Sequence, residues 1–250
     1  MKQKCNYCHQ ECKLIQAHII PKGFLKGSES NSIKDKGFLE VSTEIHYTKN
    51  RPIGPYDQNI LCATCDNIIG DYDGYAKTLL IDEISKYKDG RKPCYIFPSV
   101  QVDYTKLKKF FISLIWRASI SKRDEYARVT LGPYEDIALK CLKDDIDLRD
   151  DIFSVLIFKD APNIKYQDVI SFTASKLAGK RAYKIHFSGY QITIVPKSID
   201  MTWSIKNGTM SPADLFLKKD QALIIPEVDI DVSGKDQMII KIYLKLRMKQ

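Results

Sequence analysis

Short runs of alternating hydrophobic and polar residues dominate the second half of the chain. Such alternation, with β-branched and aromatic residues, predicts β-strands with one face buried. The predicted strands are 153–158, 169–172, 182–187, 190–195 and a closing strand at 237–248. Ser188 and Gly189 separate two of these runs, and a two-residue step that contains glycine predicts a β-hairpin.

The middle of the chain has a different period, with hydrophobic residues three and four positions apart. This spacing predicts helices at 68–88, 103–118 and 133–142. Asp103 stands where a helix would begin, and acidic residues open the third stretch, as the helix dipole favours. Residues 91–102 contain two prolines and a short apolar run, which predict a loop or an edge strand.

Residues before position 75 show little periodicity, and Ser, Asn, Gly and Pro are frequent between residues 26 and 56. This composition predicts loops that need a further constraint to hold a fold. We therefore expect an α+β protein with two domains. The first covers 1–90, and the second covers 91–250, with helices at about 104–145 and strands at about 152–248.

Composition and charge narrow the class of protein. Of the 250 residues, 44% are hydrophobic and 28% are charged, which is typical of a globular protein. The net charge is +8; residues 1–75 carry 9 basic and 9 acidic groups, and residues 76–130 carry 12 and 6. A polyanionic partner is therefore favoured, and its contacts are expected outside the first segment. No run of residues reaches membrane-spanning length and no signal-peptide core is evident, so we expect a cytoplasmic protein without membrane contact.

Two CxxC pairs are the strongest chemical signal. Cys5 and Cys8 form one pair, and Cys62 and Cys65 form the other. Two such turns offer four thiolates, the number that a tetrahedral structural zinc ion requires. His9 or Cys12 could replace one thiolate, whereas Cys94 and Cys141 lie in apolar surroundings typical of buried cysteines.

Between the pairs lie the motif Ala17-His18-Ile19-Ile20-Pro21 and, shortly before the second pair, Asn59. This order of motifs, followed by a helix, resembles the HNH (His-Me finger) nucleases of the zinc-containing kind over residues 3–76. The resemblance implies a ββα-metal (HNH-like) module whose hairpin and helix hold one divalent cation. It implies a metal-dependent endonuclease that hydrolyses phosphodiester bonds in DNA, in a setting such as phage defence or restriction.

The resemblance also assigns roles to residues. His18 would be the general base, Asn59 would fix the loop that bears it, and Asp66 would be a helical ligand of Mg²⁺ or Mn²⁺. The family usually places a further metal ligand directly before the general base, where this chain has Ala17. Asp73, two helical turns beyond Asp66, and His46 are the candidates to supply that ligand.

The helix near residue 110 carries a group of basic residues that we expect to contact DNA phosphates. They are Lys106, Lys108, Lys109, Arg117, Lys122 and Arg123. The competing hypothesis is a catalytically inactive zinc module that binds nucleic acid or a protein partner, and a third is a zinc-stabilised scaffold without nucleic acid. The second domain could also bind a protein partner or form a homo-oligomer.

Overall fold

The computed structural model describes residues 2–25, 38–42, 47–51, 54–162, 169–197 and 212–228. It contains helices and sheets in a mixed arrangement, so the α+β class is confirmed. The predicted strand at 237–248 lies outside the described residues.

Three α-helices lie close to their predicted positions. They are α1 (Ala63–Lys77), α2 (Tyr104–Ile120) and α3 (Tyr134–Leu142). The side chain of Asp103 accepts a hydrogen bond from the backbone N–H of Lys106, so it caps α2 as predicted. Helix α1 begins five residues earlier than predicted, at the second cysteine pair. After Lys77 the helical stretch continues as a π-helical turn (Thr78–Asp82) and a 3₁₀ turn (Ile84–Tyr87).

An eight-stranded sheet forms the largest layer of the described structure. Its strands in chain order are β4 (Phe38–Ser42), β5 (Tyr47–Arg51), β7 (Cys94–Phe97), β8 (Ser154–Asp160), β9 (Val169–Leu177), β10 (Lys180–Phe187), β11 (Tyr190–Val195) and β12 (Leu223–Val228). Their spatial order is β5-β4-β9-β10-β11-β8-β12-β7. The β4–β9 and β12–β8 pairs are parallel, and the other neighbours are antiparallel.

The strands predicted from alternation are confirmed at the centre of this sheet. Ser188 and Gly189 connect β10 to β11, and both have positive φ, 51° and 67°, as a two-residue hairpin turn requires. Strand β7 lies at the sheet edge, in agreement with the edge strand predicted there. Strands β4, β5 and β12 were not predicted.

Both faces of the sheet are buried. Along β8, Val155 and Ile157 belong to the main hydrophobic core, whereas Leu156 and Phe158 belong to a second cluster on the opposite face. Helix α2 covers the first face and also packs against α1 and α3, so 13 of its residues are buried. The main core draws residues from both sides of position 90.

Four short strands build the cysteine module. They are β1 (Gln3–Lys4), β2 (Glu11–Cys12), β3 (Ala17–His18) and β6 (Tyr56–Asp57). Strand β1 pairs with β2, and β3 pairs with β6, both antiparallel. Helix α1 follows β6 directly, so a two-stranded unit followed by a helix stands beside the cysteines.

Candidate functional site

The first cysteine pair lies in the turn between β1 and β2. The N–H of Cys5 donates to the carbonyl oxygen of Gln10 at 3.0 Å, and the N–H of His9 donates to the carbonyl oxygen of Cys5 at 2.9 Å. His9 has a φ of 60°, which lets the chain turn back immediately after Cys8. Tyr7 anchors this turn to the rest of the molecule, because its hydroxyl donates to the carbonyl oxygen of Leu142 at 3.1 Å.

The second pair stands at the beginning of α1. Cys62 is the residue before the first helical position, and Cys65 lies in the first turn. Two hydrogen bonds bring this helix end to the first turn. The side-chain amide of Asn6 donates to the carbonyl oxygen of Ile60 at 3.1 Å, and the backbone N–H of Ile15 donates to the carbonyl oxygen of Leu61 at 2.9 Å. Residues 54 and 46 positions apart are thereby placed together.

The ligand atoms of Cys5, Cys8, Cys62 and Cys65 all lie within 4.8 Å of one another. A tetrahedral ion with zinc–sulfur bonds of about 2.3 Å needs sulfur atoms about 3.8 Å apart, so the cluster is of the right size. The backbone N–H of Cys62 points at the Sγ atom of Cys5 at 3.4 Å, as is usual for metal-bound thiolates. The four cysteines could therefore hold a metal ion such as zinc.

The thiols of the cluster differ in pKa: burial raises the pKa of Cys65, whereas that of Cys62 is lowered. Burial acts to raise the pKa of the Cys62 thiol, but hydrogen bonds from Cys65, Cys5 and Cys12 lower it to about 7. Cys12 contacts the cluster without belonging to the four, and its thiol also donates to the carbonyl oxygen of Gln10 at 3.4 Å. Cys94 and Cys141 are completely buried, as predicted.

His18 is at the end of β3, opposite Tyr56 of β6. His18 is partly exposed, and the centroids of its ring and the Tyr56 ring are 6.3 Å apart. Ala17 before it is fully buried and pairs with Asp57. The strand therefore directs the small residue into the core and leaves the imidazole at the surface of the module.

Charged residues from two helices lie near His18. Asp66 lies in the first turn of α1, Asp73 follows seven residues later on the same helix, and Arg117 comes from α2. Burial raises the pKa of Asp66, and the positive charges of Arg117 and His18 oppose this shift. Burial also raises the pKa of Asp73, where Arg117 opposes the shift and Asp66 adds to it. His18, Asp66 and Asp73 therefore lie close enough for their charges to act on one another.

Asp73 is bound by arginine. Two nitrogens of Arg117 donate to its two carboxylate oxygens, each at 3.0 Å. The carboxylate of Asp73 is therefore engaged in an ion pair with Arg117, and its role as a cation ligand stays a prediction. His46 lies outside the described residues. Within the described ranges, the four cysteines are the sole group of three or more His, Cys, Asp or Glu residues with metal-binding spacing, so Asp66 does not complete a cation site there.

Asn59 is an exposed residue of the loop before α1. Its backbone N–H donates to the Oδ1 atom of Asp57 at 2.8 Å. The Oδ2 atom of Asp57 accepts from the hydroxyl of Ser121 at 2.6 Å. Among the described contacts, buried Asp57 holds this loop, and the role that the resemblance implies for Asn59 stays a prediction.

The predicted basic surface is wrong for three of its six members. Lys108, Lys109 and Arg117 are 0%, 2% and 1% exposed, because nearly every side of α2 is covered by a helix or the sheet. Lys109 donates to Asp144 at 2.6 Å, and burial lowers the pKa of Lys108 to about 8. Arg123 is partly exposed and is bound to Glu125 and to the carbonyl oxygen of Tyr56. Lys106 and Lys122 are exposed, as expected for phosphate contacts.

Sequence reasoning missed Asp57, Ser121 and the structural role of Arg117. The turn at Asp57 had a local signal, because an aspartate followed by polar residues often forms an Asx turn with the backbone two residues on. Nothing in the local sequence links Ser121 or Arg117 to the hairpin, since their partners lie 64 and 99 positions away.

Comparison with models of protein families, with curated proteins and with solved structures finds no match to this chain. Among the described residues, no helix has both the length and the apolar character needed to cross a membrane.

Proposed function

We propose that this protein is a metal-dependent endonuclease of the HNH type that hydrolyses phosphodiester bonds in DNA. The observation that carries the proposal is that His18 lies on a two-stranded unit followed by a helix, and that its charge acts on Asp66 in the first turn of that helix. The cysteine cluster lies at the beginning of the same helix and would hold zinc as a structural ion.

In the proposed reaction, His18 accepts a proton from the water that attacks phosphorus. A neutral imidazole can do this near pH 7, and its partly exposed ring can reach a bound substrate. A bound Mg²⁺ or Mn²⁺ ion would supply positive charge for the scissile phosphate and the leaving oxygen. Asp66 is the described carboxylate that would contribute to holding it, together with residues such as His46 whose positions lie outside the described ranges.

DNA would lie across the module near the exposed lysines Lys106 and Lys122. Such contacts bind the backbone without reading sequence, so any specificity would arise elsewhere. A role in phage defence or restriction, and a protein partner or second copy bound through residues 91–250, remain parts of this proposal.

A specific observation favours the second candidate, a catalytically inactive zinc module that binds nucleic acid or a protein. Ala17 offers no ligand beside His18, and Arg117 occupies both oxygens of Asp73. With too few ligands to hold a catalytic cation, the module would still fold but would not hydrolyse phosphodiester bonds.

Cleavage of supercoiled and linear DNA separates the candidates. The purified protein and its Asp66→Asn variant are compared with Mg²⁺, with Mn²⁺ and with EDTA, and both are tested for DNA binding by gel shift. The nuclease proposal expects cation-dependent cleavage by the wild type and at least about a tenfold loss in the variant. DNA binding without cleavage under every condition would favour the inactive module.

A further inference from the structure

Arg117 has a complete set of hydrogen-bond partners inside the protein. A guanidinium group has five N–H donors. Five donor contacts are present: Nε to the carbonyl oxygen of Ser113 (3.2 Å), Nη1 to the carbonyl oxygen of His18 (2.9 Å) and to Asp73 Oδ2 (3.0 Å), and Nη2 to Asp73 Oδ1 (3.0 Å) and to Ser113 Oγ (3.1 Å). No donor remains for a substrate phosphate.

The acceptors of Arg117 belong to three different elements. His18 lies on β3, Asp73 on α1, and Ser113 on α2 itself. Arg117 is 1% exposed, and the side chain of Asp73 is 14% exposed, so the ion pair lies beneath the surface from which His18 is accessible. Its two parallel N–H···O contacts with the carboxylate fix direction as well as distance. The residue therefore determines how β3 is placed relative to α1.

The chain that follows α2 fixes the other strand of the same unit. Ser121 donates to Asp57 at 2.6 Å, and Arg123 donates to the carbonyl oxygen of Tyr56 at 2.6 Å. Tyr56 and Asp57 are the partners of His18 and Ala17 in the β3–β6 pairing. Both strands are thus held from one short segment, residues 117–123.

We propose that Arg117 and Asp73 are positioning residues for His18: their buried ion pair holds the backbone of β3 at His18 and so fixes the position of the imidazole relative to α1. This inference rests on the proposed nuclease function for its kinetic consequences only. The carbonyl oxygen of His18 is the point at which Arg117 ties this strand to α1 and α2. Arg117 acts through that carbonyl oxygen and does not contact the substrate.

The test compares Arg117→Met, Arg117→Lys and Asp73→Asn with a matched control, Arg149→Met. Arg149 is an exposed arginine whose ion pair with Asp151 lies away from the hairpin. Zinc content and circular dichroism verify the fold of each variant. The readouts are kcat and KM for DNA cleavage and the ¹H–¹³C resonance of the His18 ring.

We expect Arg117→Met to lower kcat at least about tenfold with KM nearly unchanged, and to shift the His18 resonance while zinc stays bound. Asp73→Asn should act in the same direction with a smaller effect, and it provides the test if Arg117→Met does not fold. Arg117→Lys should recover little, because an ammonium group cannot reproduce the bidentate contact. Arg149→Met should leave all readouts at wild-type values.

Two results would overturn the proposal. One is a folded Arg117→Met protein, or Asp73→Asn if that fails to fold, with wild-type kcat and an unmoved His18 resonance. The other is an increase in KM with unchanged kcat, which would mean that the guanidinium binds substrate. If the wild type cleaves no DNA, the nuclease proposal fails, and the His18 resonance alone decides whether Arg117 positions the residue.

Discussion

Arg117 donates a hydrogen bond to the main-chain oxygen of His18 at 2.9 Å across 99 residues of sequence. The contact joins the central helix of the protein to the short strand that carries the proposed general base. A helix that is buried on nearly all sides is a rigid support, so the position of His18 depends on the core as a whole.

The cysteine cluster predicts which substitutions release the metal. We expect one zinc ion per chain in the wild type and a loss of bound zinc in Cys62→Ser, because the hydroxyl is a poor zinc ligand. The free energy of unfolding should fall by about 3 kcal/mol or more, since zinc binding contributes to folding. Metal analysis and urea unfolding measure the two effects.

Cys12→Ser is the control for this experiment. Cys12 touches the cluster but is not one of the four closely spaced thiols, so its variant should retain zinc. Loss of zinc from Cys12→Ser, with retention in Cys62→Ser, would contradict the assignment and indicate that Cys12 is a ligand.

Gly70 lies inside α1, where alanine is the better helix former. A Cβ atom at Gly70 would meet nothing within 4 Å, and its φ is not in the positive range. We expect Gly70→Ala to raise the free energy of unfolding by about 0.5–1 kcal/mol, measured by urea unfolding.

Gly54 provides the contrast. Its φ is +79°, and a Cβ atom there would overlap the side chain of Leu25, so Gly54→Ala should lower stability. A loss of stability in Gly70→Ala comparable to that in Gly54→Ala would show that α1 is packed more closely than described.

Lys108 gives a pH dependence of stability. Burial lowers its pKa from 10.5 to about 8, so between these two values the unfolded chain holds a proton that the folded chain has released. The free energy of unfolding contributed by this group therefore rises with pH through that window. Lys108→Met removes the cost of the buried charge, and its stability advantage over the wild type should be roughly 2 kcal/mol larger at pH 7 than at pH 10.

Other titrating groups cancel when the two proteins are compared at each pH. Lys106→Met is the matched control, because Lys106 is an exposed lysine on the same helix. Its stability relative to the wild type should change little with pH. An advantage of Lys108→Met that stays constant between pH 7 and pH 10 would contradict the charged, buried state of Lys108.

The exposed lysines predict the salt dependence of DNA binding. Replacing Lys106 and Lys122 by alanine should reduce the slope of log K against log salt by about 0.9 for each phosphate contact that is lost. The buried Lys109 should not affect this slope, so Lys109→Met, once its fold is verified, is the control variant. Binding titrations at several salt concentrations measure the slopes, and equal slopes in all three proteins would exclude the two lysines from the interface.

The sequence predicted those elements of the fold that are determined by residues close together in the chain. Asp103 marks the beginning of α2 by its side-chain cap, and Ser188-Gly189 marks a turn whose backbone few residues adopt. Strand β4 could not be predicted in this way, because its pairing with β9 joins Leu39 to Val169 across the chain. Strand β12 was also hard to predict, because it contains Pro226. Proline has no N–H to donate to a neighbouring strand, so its presence in a sequence argues against a strand.

In the candidate site, too, the sequence predicted what depends on local spacing and did not predict what depends on tertiary packing. Cysteine spacing predicted the cluster, and the resemblance to HNH nucleases directed attention to His18 and Asp66. The burial of Lys108, Lys109 and Arg117 was not predictable, because a basic residue on a helix is exposed in most proteins and only tertiary packing places it inside. Arg117 and Asp73 are separated by 44 positions, and no sequence rule pairs them.

The most direct test of the nuclease proposal is single-turnover cleavage of a short DNA duplex by the wild type, His18→Ala and His9→Asn, each with verified zinc content. His9→Asn is the control, because asparagine tolerates the positive φ at this position beside the cysteine cluster. We predict cation-dependent cleavage in the wild type and in His9→Asn, and a rate at least about a hundredfold lower in His18→Ala. Equal cleavage by His18→Ala and the wild type would contradict the assignment of His18 as the general base.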